Sequence, residues 1–467
     1  MKRTLASKSS NKVGEEILIK GWVDTVRSHG KIVFVDIKDR SGVVQFVFEE
    51  DTQDYEKAKN LKKEYVVQLK GKVKERPEDM KNEEMESGDI EVKGSEVKLL
   101  SESDTPPFEL SGDGYKINEE KRLEYRYLDL KRERLQKNMK KRQEVAHFIR
   151  DFLKNKDFVE IETPNLTKST PEGARDFVVP SRAQAGKFYA LPQSPQQYKQ
   201  LLMISGFERY FQFPHVFRDE DLRSDRLYEL TQLDIEMSFI NQEELRSLIE
   251  ELAIKVTEEV IGKEVKEKPF PVLSYEEAMS EYGKDDPDLR DDEQELAYCW
   301  ITDFPMFEEK EDGSVGAVHH PFTAVKEEHI DKLKEMKGAD DKSEFIDKIQ
   351  AQQYDLVLNG FEVFGGSIRQ HRPELIKTGF EILGHTPEEI EQKFGHLLEA
   401  FQYGVPPHGG IAAGLDRWLQ ALLNEKSIRE VVAFPTTSSG KTAVMDAPSE
   451  LSSEKLKELN LKITDEE

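Results

Sequence analysis

Ile32-Val33-Phe34-Val35-Asp36-Ile37, then Asp39-Arg40-Ser41-Gly42, then Val43-Val44-Gln45-Phe46-Val47-Phe48: two apolar runs flank a turn. Alternation at period two with a glycine-bearing turn between predicts two strands of an antiparallel sheet. Working outward, further runs of the same kind lie at about 16–24, 65–73 and 90–98, around the pair at about 31–37 and 43–48. A charged helix is predicted around Tyr55–Lys63, between the third and fourth strands. Five short strands in this order predict a small antiparallel barrel.

A helix after strand three is the order of an OB-fold, whose open face binds single-stranded nucleic acid by aromatic stacking and polar readout. A purely structural barrel is the competing reading. Residues 1–104 are assigned to this domain, and 105–130, polar and carrying Thr105-Pro106-Pro107, to a hinge. From 131 to 467 the pattern changes. Leu135, Met139, Val145, Phe148, Ile149, Phe152 and Leu153 recur at helical spacing and predict a long amphipathic helix. It stops before the extended Phe158-Val159-Glu160-Ile161-Glu162-Thr163-Pro164. Irregularly alternating strands and helices then predict an α+β domain on an antiparallel sheet flanked by helices.

The chain has 467 residues, 37% hydrophobic and 34% charged, and a net charge of −25. No apolar run approaches the roughly 18 residues of a membrane span, and Met1-Lys2-Arg3 leads only into polar residues, so neither anchor nor signal peptide is expected and the expected compartment is the cytoplasm. The lone Cys299 allows no intramolecular disulfide and reads as a buried hydrophobe. The acidic balance speaks against nucleic acid. Locally, however, Lys131, Arg132, Arg134, Lys137, Lys140, Lys141 and Arg142 form a basic stretch, to be read either as a solvated helix face or as a phosphate-binding one.

Ser439-Gly440-Lys441-Thr442 has the end of a phosphate loop, but Pro435 stands where that loop needs its first glycine, and no GxGxxG follows a predicted strand. Three other clusters carry the chemistry. Phe217-Arg218-Asp219-Glu220-Asp221-Leu222-Arg223-Ser224-Asp225-Arg226 is a charged loop leading into an apolar strand, Leu230–Phe239, and offers arginines to a phosphate and carboxylates to an amine or a base edge. Asn359-Gly360 is a hairpin turn that pairs Val357 with Glu362 and sets Asp355 diagonal to Glu362 on one face, where two carboxylates suit Mg²⁺. Gly409-Gly410-Ile411-Ala412-Ala413-Gly414-Leu415-Asp416-Arg417 runs into an amphipathic helix, its small residues letting a ligand approach and Arg417 reaching a phosphate or a base. His319-His320 suits a polar pocket better than a metal.

Taken in this order behind the barrel, these clusters resemble the three motifs of class II aminoacyl-tRNA synthetases. The helix ending before Pro164 is similar to the dimer-forming motif 1, Phe217–Glu220 to motif 2 and Gly410–Arg417 to motif 3. Thr170-Pro171-Glu172-Gly173-Ala174-Arg175-Asp176 and Leu191-Pro192-Gln193-Ser194-Pro195-Gln196-Gln197-Tyr198-Lys199-Gln200 resemble the bacterial aspartyl enzymes of that class. The resemblance implies activation of L-aspartate by ATP with Mg²⁺, transfer to tRNA(Asp), and a homodimer. Arg218 and Arg417 would be catalytic, with Asp219, Glu220, Glu362, Gly414, Leu415 and Asp416 also at ATP, and Asp355 with Glu362 at the metal. Aspartate would meet Glu172 and Gln196 through its ammonium, and Lys199 and Arg369 through its side-chain carboxylate, with Arg218, Asp234, His319 and His320 completing the pocket. A buried lysine opposite a neutral amide would lack its counter-charge, which separates this resemblance from the asparaginyl enzymes. In the barrel, Arg27, Phe34, Gln45 and Glu91 would read the anticodon, and His29 extends the expectation to tRNA(Asn).

Two departures stand out. Where the family's motif 2 continues Arg-Gln-Pro-Glu-Phe, this chain has Arg226-Leu227-Tyr228-Glu229-Leu230, and where bacterial members carry an inserted domain it has only Asp291–Cys299. Two other functions compete: a non-catalytic tRNA-binding relative, and an aspartate-consuming amide synthetase on the same fold.

Overall fold

The computed structural model describes all residues except 84, 86, 170–172, 311 and 465–467. The chain divides into two compact units, Met1–Glu109 and Leu110–Glu467.

In the first unit β1 (Glu16–His29), β2 (Ile32–Asp39), β3 (Gly42–Glu49), β4 (Val66–Glu75) and β5 (Ile90–Ser101) close into a barrel of order β1-β2-β3-β5-β4, with α1 (Tyr55–Lys59) between β3 and β4. The alternation is the cause. Val33, Val35, Ile37, Val44, Phe46 and Phe48 point inward and are buried, each contributing about 1.5–3 kcal/mol of apolar burial. Gly94 lies against the Phe48 ring so closely that a Cβ would sit 2.3 Å from it. The five strands and the helix after the third match the sequence expectation; the barrel is antiparallel except where β3 and β5 pair in parallel to close it.

In the second unit the segment expected to be hinge carries helices α2 (Glu119–Glu124) and α3 (Arg126–Asp129). Helix formation there follows from buried charge: Asp129 accepts from Arg122, Arg126 and Arg132, while Arg122 also pairs with Glu430 at 2.8 Å. The long helix, α4 (Glu133–Lys154), follows, and turns Leu135, Val145, Ile149, Phe152 and Leu153 into the core. Its basic stretch is largely consumed inside the protein, Arg132 on Asp129, Arg134 on Glu425 and Glu430, and Arg142 on Asp416, leaving Lys137 and Lys140 exposed. The solvated-face reading describes Lys137 and Lys140, while the paired arginines serve packing rather than solvent or phosphate.

Short β6 (Val159–Glu160) and the ribbon of β7 (Val178–Pro180) with β8 (Phe188–Ala190) precede α5 (Gln196–Ile204). The main sheet has nine strands: β6, β9 (Arg209–Gln212), β10 (His215–Phe217), β11 (Glu229–Ser238), β12 (Val272–Ser274), β13 (Tyr298–Thr302), β16 (Gln353–Leu358), β17 (Phe361–Ile368) and β18 (His408–Gly414). Their order is β12-β13-β16-β17-β18-β11-β9-β6, with β10 paired to β11; β12–β13 and β6–β9 are parallel and the rest antiparallel. A separate ribbon pairs β14 (Phe307–Glu309) with β15 (Val315–Ala317). Helix α6 (Gln242–Lys255) is followed by α7 (Tyr275–Tyr282), α8 (Ile330–Gly338), α9 (Ser343–Ile346), α10 (Pro373–Ile382), α11 (Pro387–Ala400) and α12 (Leu415–Leu423); α6 and α12 pack with α4 in the main core, where Leu233, Ile235, Phe364, Trp418 and Leu422 meet. Cys299 is buried beside Ile301 and Phe304, and burial pushes its thiol up to about 12, so it is a core residue.

Candidate active site

Strand β11 shows how the sheet makes a site. Its odd face, Leu233, Ile235 and Met237, belongs to the core, and its even face carries Gln232, Asp234, Glu236 and Ser238. One cross-strand row runs Asp355, Gly365, Ala412, Asp234. The two small residues in the middle of that row leave a floor between two carboxylates. Above it opens a cleft of about 490 Å³, the size of a small-molecule site. Its walls include Gln196, Lys199, Arg218, Glu220, Asp234, His319, His320, Glu362, Arg369, Gly414, Asp416 and Arg417. Most residues singled out in the sequence therefore converge here.

At one end, Lys199 on α5 and Arg369 after β17 are buried cations. Lys199 Nζ donates to Asp234 at 2.7 Å and lies 3.4 Å from Glu236. Arg369 grips Glu236 through Nε and Nη2 at 3.0 and 3.2 Å and donates to Ser367 Oγ at 2.8 Å. Burial alone would raise the Glu236 carboxyl, but Arg369, Lys199 and His408 hold it below the usual range. Glu236 needs the glycine opposite it: a Cβ on Gly410 would lie 1.9 Å from its Oε2. Gln196 donates to Gln200 at 3.2 Å at this end. His319 opens into the cleft; the surrounding protein and then Arg369, Lys199 and Arg218 depress its imidazole, keeping it neutral. His320 is engaged differently, its Nδ1 accepting from the Phe322 amide at 3.2 Å while its ring stacks on Phe322.

At the other end Arg218 donates to the Gln193 carbonyl at 3.4 Å and, with the Gln232 amide turned to satisfy both neighbours, donates to Gln232 at 3.1 Å while Gln232 donates to Asp234. Arg417 donates to the Glu362 carbonyl at 3.1 Å and pairs with Asp225 at 3.3 Å; Arg226 pairs with Glu220 at 3.1 Å. Leu227, Leu230 and Ile428 form an aliphatic wall, so the departure in the 227–230 segment is accommodated by packing, with Leu227 in the main core.

Several expected roles meet a different geometry. Leu415 is in the core, since the first turn of α12 must bury its apolar face. The Asp416 carboxylate accepts from Arg142 and from the Thr231 amide at 3.0 Å, joining α12 to α4 and β11. Asp219 is 3.6 Å from Arg175 and lies outside the cleft lining. Glu172 lies outside the described residues.

Asp355 and Glu362 do converge, although a bulge between Leu356 and Val357 changes the register and puts Asp355 opposite Gly365. A Cβ on Gly365 would lie 2.7 Å from Glu362 Oε1 and 3.2 Å from Asp355 Oδ1. Burial, then the Glu362 charge, push the Asp355 carboxyl well above the usual range, and its buried Oδ1 meets no donor. A buried, unpartnered carboxylate oxygen beside a second carboxylate has the donor chemistry that a hard divalent cation such as Mg²⁺ requires. Among the described residues no third His, Cys, Asp or Glu completes a metal group.

In the first unit the five barrel residues expected to read nucleic acid share the outer face of β1, β2, β3 and β5. Arg27 pairs across to Phe34, and its guanidinium meets Asp36 at 2.6 Å. Gln45 donates to Asp36 at 2.8 Å and accepts from Arg76 at 3.0 Å. His29 is exposed, and Phe34 and Glu91 are half-buried.

The class II tRNA synthetase (D, K and N) family matches residues 118–438, and the OB-fold nucleic acid binding domain family matches 17–100. The chain belongs to the class II tRNA synthetases of the D, K and N type. Among curated proteins, this synthetase is 38% identical to the aspartate–tRNA(Asp/Asn) ligases of Natranaerobius thermophilus and Dictyoglomus turgidum, and 37% identical to the aspartate–tRNA ligase of Macrococcus caseolyticus, with 97% of this chain and 96–97% of each relative covered. The first alignment spans 581 positions against a chain of 467, so at least 114 positions of that relative have no counterpart here. Similar folds are asparaginyl-tRNA synthetase from Pyrococcus horikoshii complexed with asparaginyl-adenylate (TM-score 0.74, 21% identity, 94% of this chain and 98% of that one) and a putative aspartyl-tRNA synthetase from Leishmania major (0.73, 20%, 93% and 94%). Among the described residues no helix is long and apolar enough to cross a membrane.

Sequence reasoning missed Glu236, Gln232 and Asp36. Each lies two residues from one that was singled out, on the same strand face, and that periodicity was the available signal.

Proposed function

We propose that the chain is an aspartate–tRNA ligase, activating L-aspartate with ATP and transferring it to tRNA(Asp) and tRNA(Asn). The observation that carries the reading is the pair of buried cations, Lys199 held by Asp234 and Glu236 and Arg369 by Glu236, both facing the cleft. Such a wall favours a substrate side chain that brings its own negative charge.

In the first step the aspartate α-carboxylate attacks the α-phosphorus of ATP, the bond to pyrophosphate breaks, and aspartyl-adenylate forms. Arg218 faces the developing phosphorane charge, Arg417 and Glu220 hold the ends of the nucleotide, and Gln196 with Glu172 receives the ammonium. Asp355 and Glu362 would hold Mg²⁺, which when bound neutralises phosphate charge. In the second step a terminal ribose hydroxyl of the tRNA attacks the acyl carbon and AMP leaves. No enzyme nucleophile is required; positioning and preorganised charge supply the catalysis. The outer face of the barrel would read the anticodon through Phe34, Gln45, Arg27 and Glu91, and His29 would admit both tRNAs. A homodimer and a cytoplasmic location belong to the same reading.

The test is to incubate the protein with ATP, Mg²⁺, labelled aspartate and transcripts bearing the aspartate or the asparagine anticodon. Charging of both supports the whole reading. Charging of tRNA(Asp) alone removes the His29 part, and charging of neither overturns it.

A further inference from the structure

Behind the wall formed by His319 and His320 lies a second cavity, with about 10 Å³ open to the centre of a water molecule, also lined by Thr323, Ala351 and Gln353. That is room for about one water. Two buried polar atoms of its lining residues meet no partner among the described residues: His320 Nε2 and Gln353 Oε1. Their chemistry is complementary. His320 Nδ1 accepts from the Phe322 amide, so a neutral ring carries its proton on Nε2, a donor. Gln353 Nε2 donates to Asp355 Oδ2 at 3.0 Å, so Oε1 is the end left over, an acceptor. Leaving either group buried and unsatisfied is costly.

We infer that this cavity holds a structural water accepting from His320 Nε2 and donating to Gln353 Oε1, and that Gln353 is thereby a positioning residue joining the aspartate end of the site to the Asp355 carboxylate. The inference rests on the aspartate-ligase reading for its functional half. His320 then has both ring nitrogens engaged and is a support rather than a substrate contact. What it supports is the adjacent His319, in a segment tied down by the Thr323 amide on the His320 carbonyl at 2.9 Å and the Gln370 amide on the Phe322 carbonyl at 2.7 Å. Gln353, only 3% exposed on β16, touches none of the reacting groups.

Crystals of the free wild-type protein diffracting well enough to order water test the first half. Density within hydrogen-bond reach of both atoms is expected, and a dry cavity overturns the inference. Calorimetry without ATP tests the second half. Gln353→Met keeps the volume and removes both polar ends, so the Kd for aspartate should rise about tenfold while the Kd for ATP without Mg²⁺ stays within about twofold. A folded variant that binds aspartate like wild type overturns the positioning role; should the variant not fold, the wild-type density decides. Wild-type protein that binds no aspartate at all would remove the ligase reading, while the density still decides the water.

Discussion

Glu236→Gln removes one negative charge from the middle of a fully buried four-charge cluster and little else. In the wild type, Glu236 takes two hydrogen bonds from Arg369 and lies 3.4 Å from Lys199. The variant leaves Lys199 with Asp234 and Arg369 with Ser367, and glutamine still offers one acceptor. Deleting a partner outright from a buried ion pair costs about 3–5 kcal/mol, and keeping one acceptor brings the expected loss down to about 2–3 kcal/mol. Urea unfolding at pH 7 measures it. Because the Glu236 carboxyl is held below its usual range in the fold, its contribution is fully present above the unfolded pKa of about 4.3 and is lost as pH falls through the lower folded value. The gap between wild type and variant should therefore close on acidification. In aspartate-dependent pyrophosphate exchange the misplaced arginine should raise the KM for aspartate by about 30-fold, the equivalent of about 2 kcal/mol, while the KM for ATP moves little. A variant as stable as wild type at pH 7 with an unchanged KM for aspartate would refute the assignment of Glu236 as the residue that holds both cations.

Asp355→Asn should raise the melting temperature of the ligand-free protein by removing the cost of a buried carboxylate and its repulsion from Glu362, and raise the Mg²⁺ concentration for half-maximal pyrophosphate exchange at least about tenfold; thermal unfolding and Mg²⁺ titration check the two signs. Asp225→Asn frees Arg417 from a partner that competes with phosphate, so the KM for ATP should fall by about two- to fivefold, the range of a half-exposed pair. Gln45→Ala breaks the link between Asp36 and Arg76 on the barrel face, leaving Asp36 on Arg27 alone, and should raise the KM for tRNA by about tenfold in aminoacylation while pyrophosphate exchange without tRNA is unchanged.

Much of this was legible before any coordinates. The barrel followed from alternation, since strands with one buried face must repeat at period two, and α4 and α12 followed from apolar residues at helical spacing. The charged motifs were legible because arginines and carboxylates at such density beside apolar strands are rarely structural in isolation. Local pattern misled where long-range pairing intervened. The basic stretch 131–142 looked available to solvent or phosphate, but Arg132, Arg134 and Arg142 find carboxylates on Asp129, Glu425, Glu430 and Asp416, most of them about 300 residues away in the chain. The 119–129 helices, held by Asp129 and Glu430, were missed for the same reason.

By itself, then, the sequence determined the element types, the barrel, the family resemblance and most of the cleft's chemical groups, because these depend on short-range periodicity and on motifs a few residues long. Only the tertiary structure decided which charges are spent on each other and which face the cleft. Glu236 is one more acidic residue in an acidic chain until β18 brings Gly410 against it and the turn after β17 brings Arg369. Asp355 and Glu362 are a diagonal pair on paper, and a bulge shifts their register yet still brings them together over Gly365. Charge pairing at long sequence separation is a property of the closed sheet, where burial makes each partner's identity matter, and no local window of residues contains it.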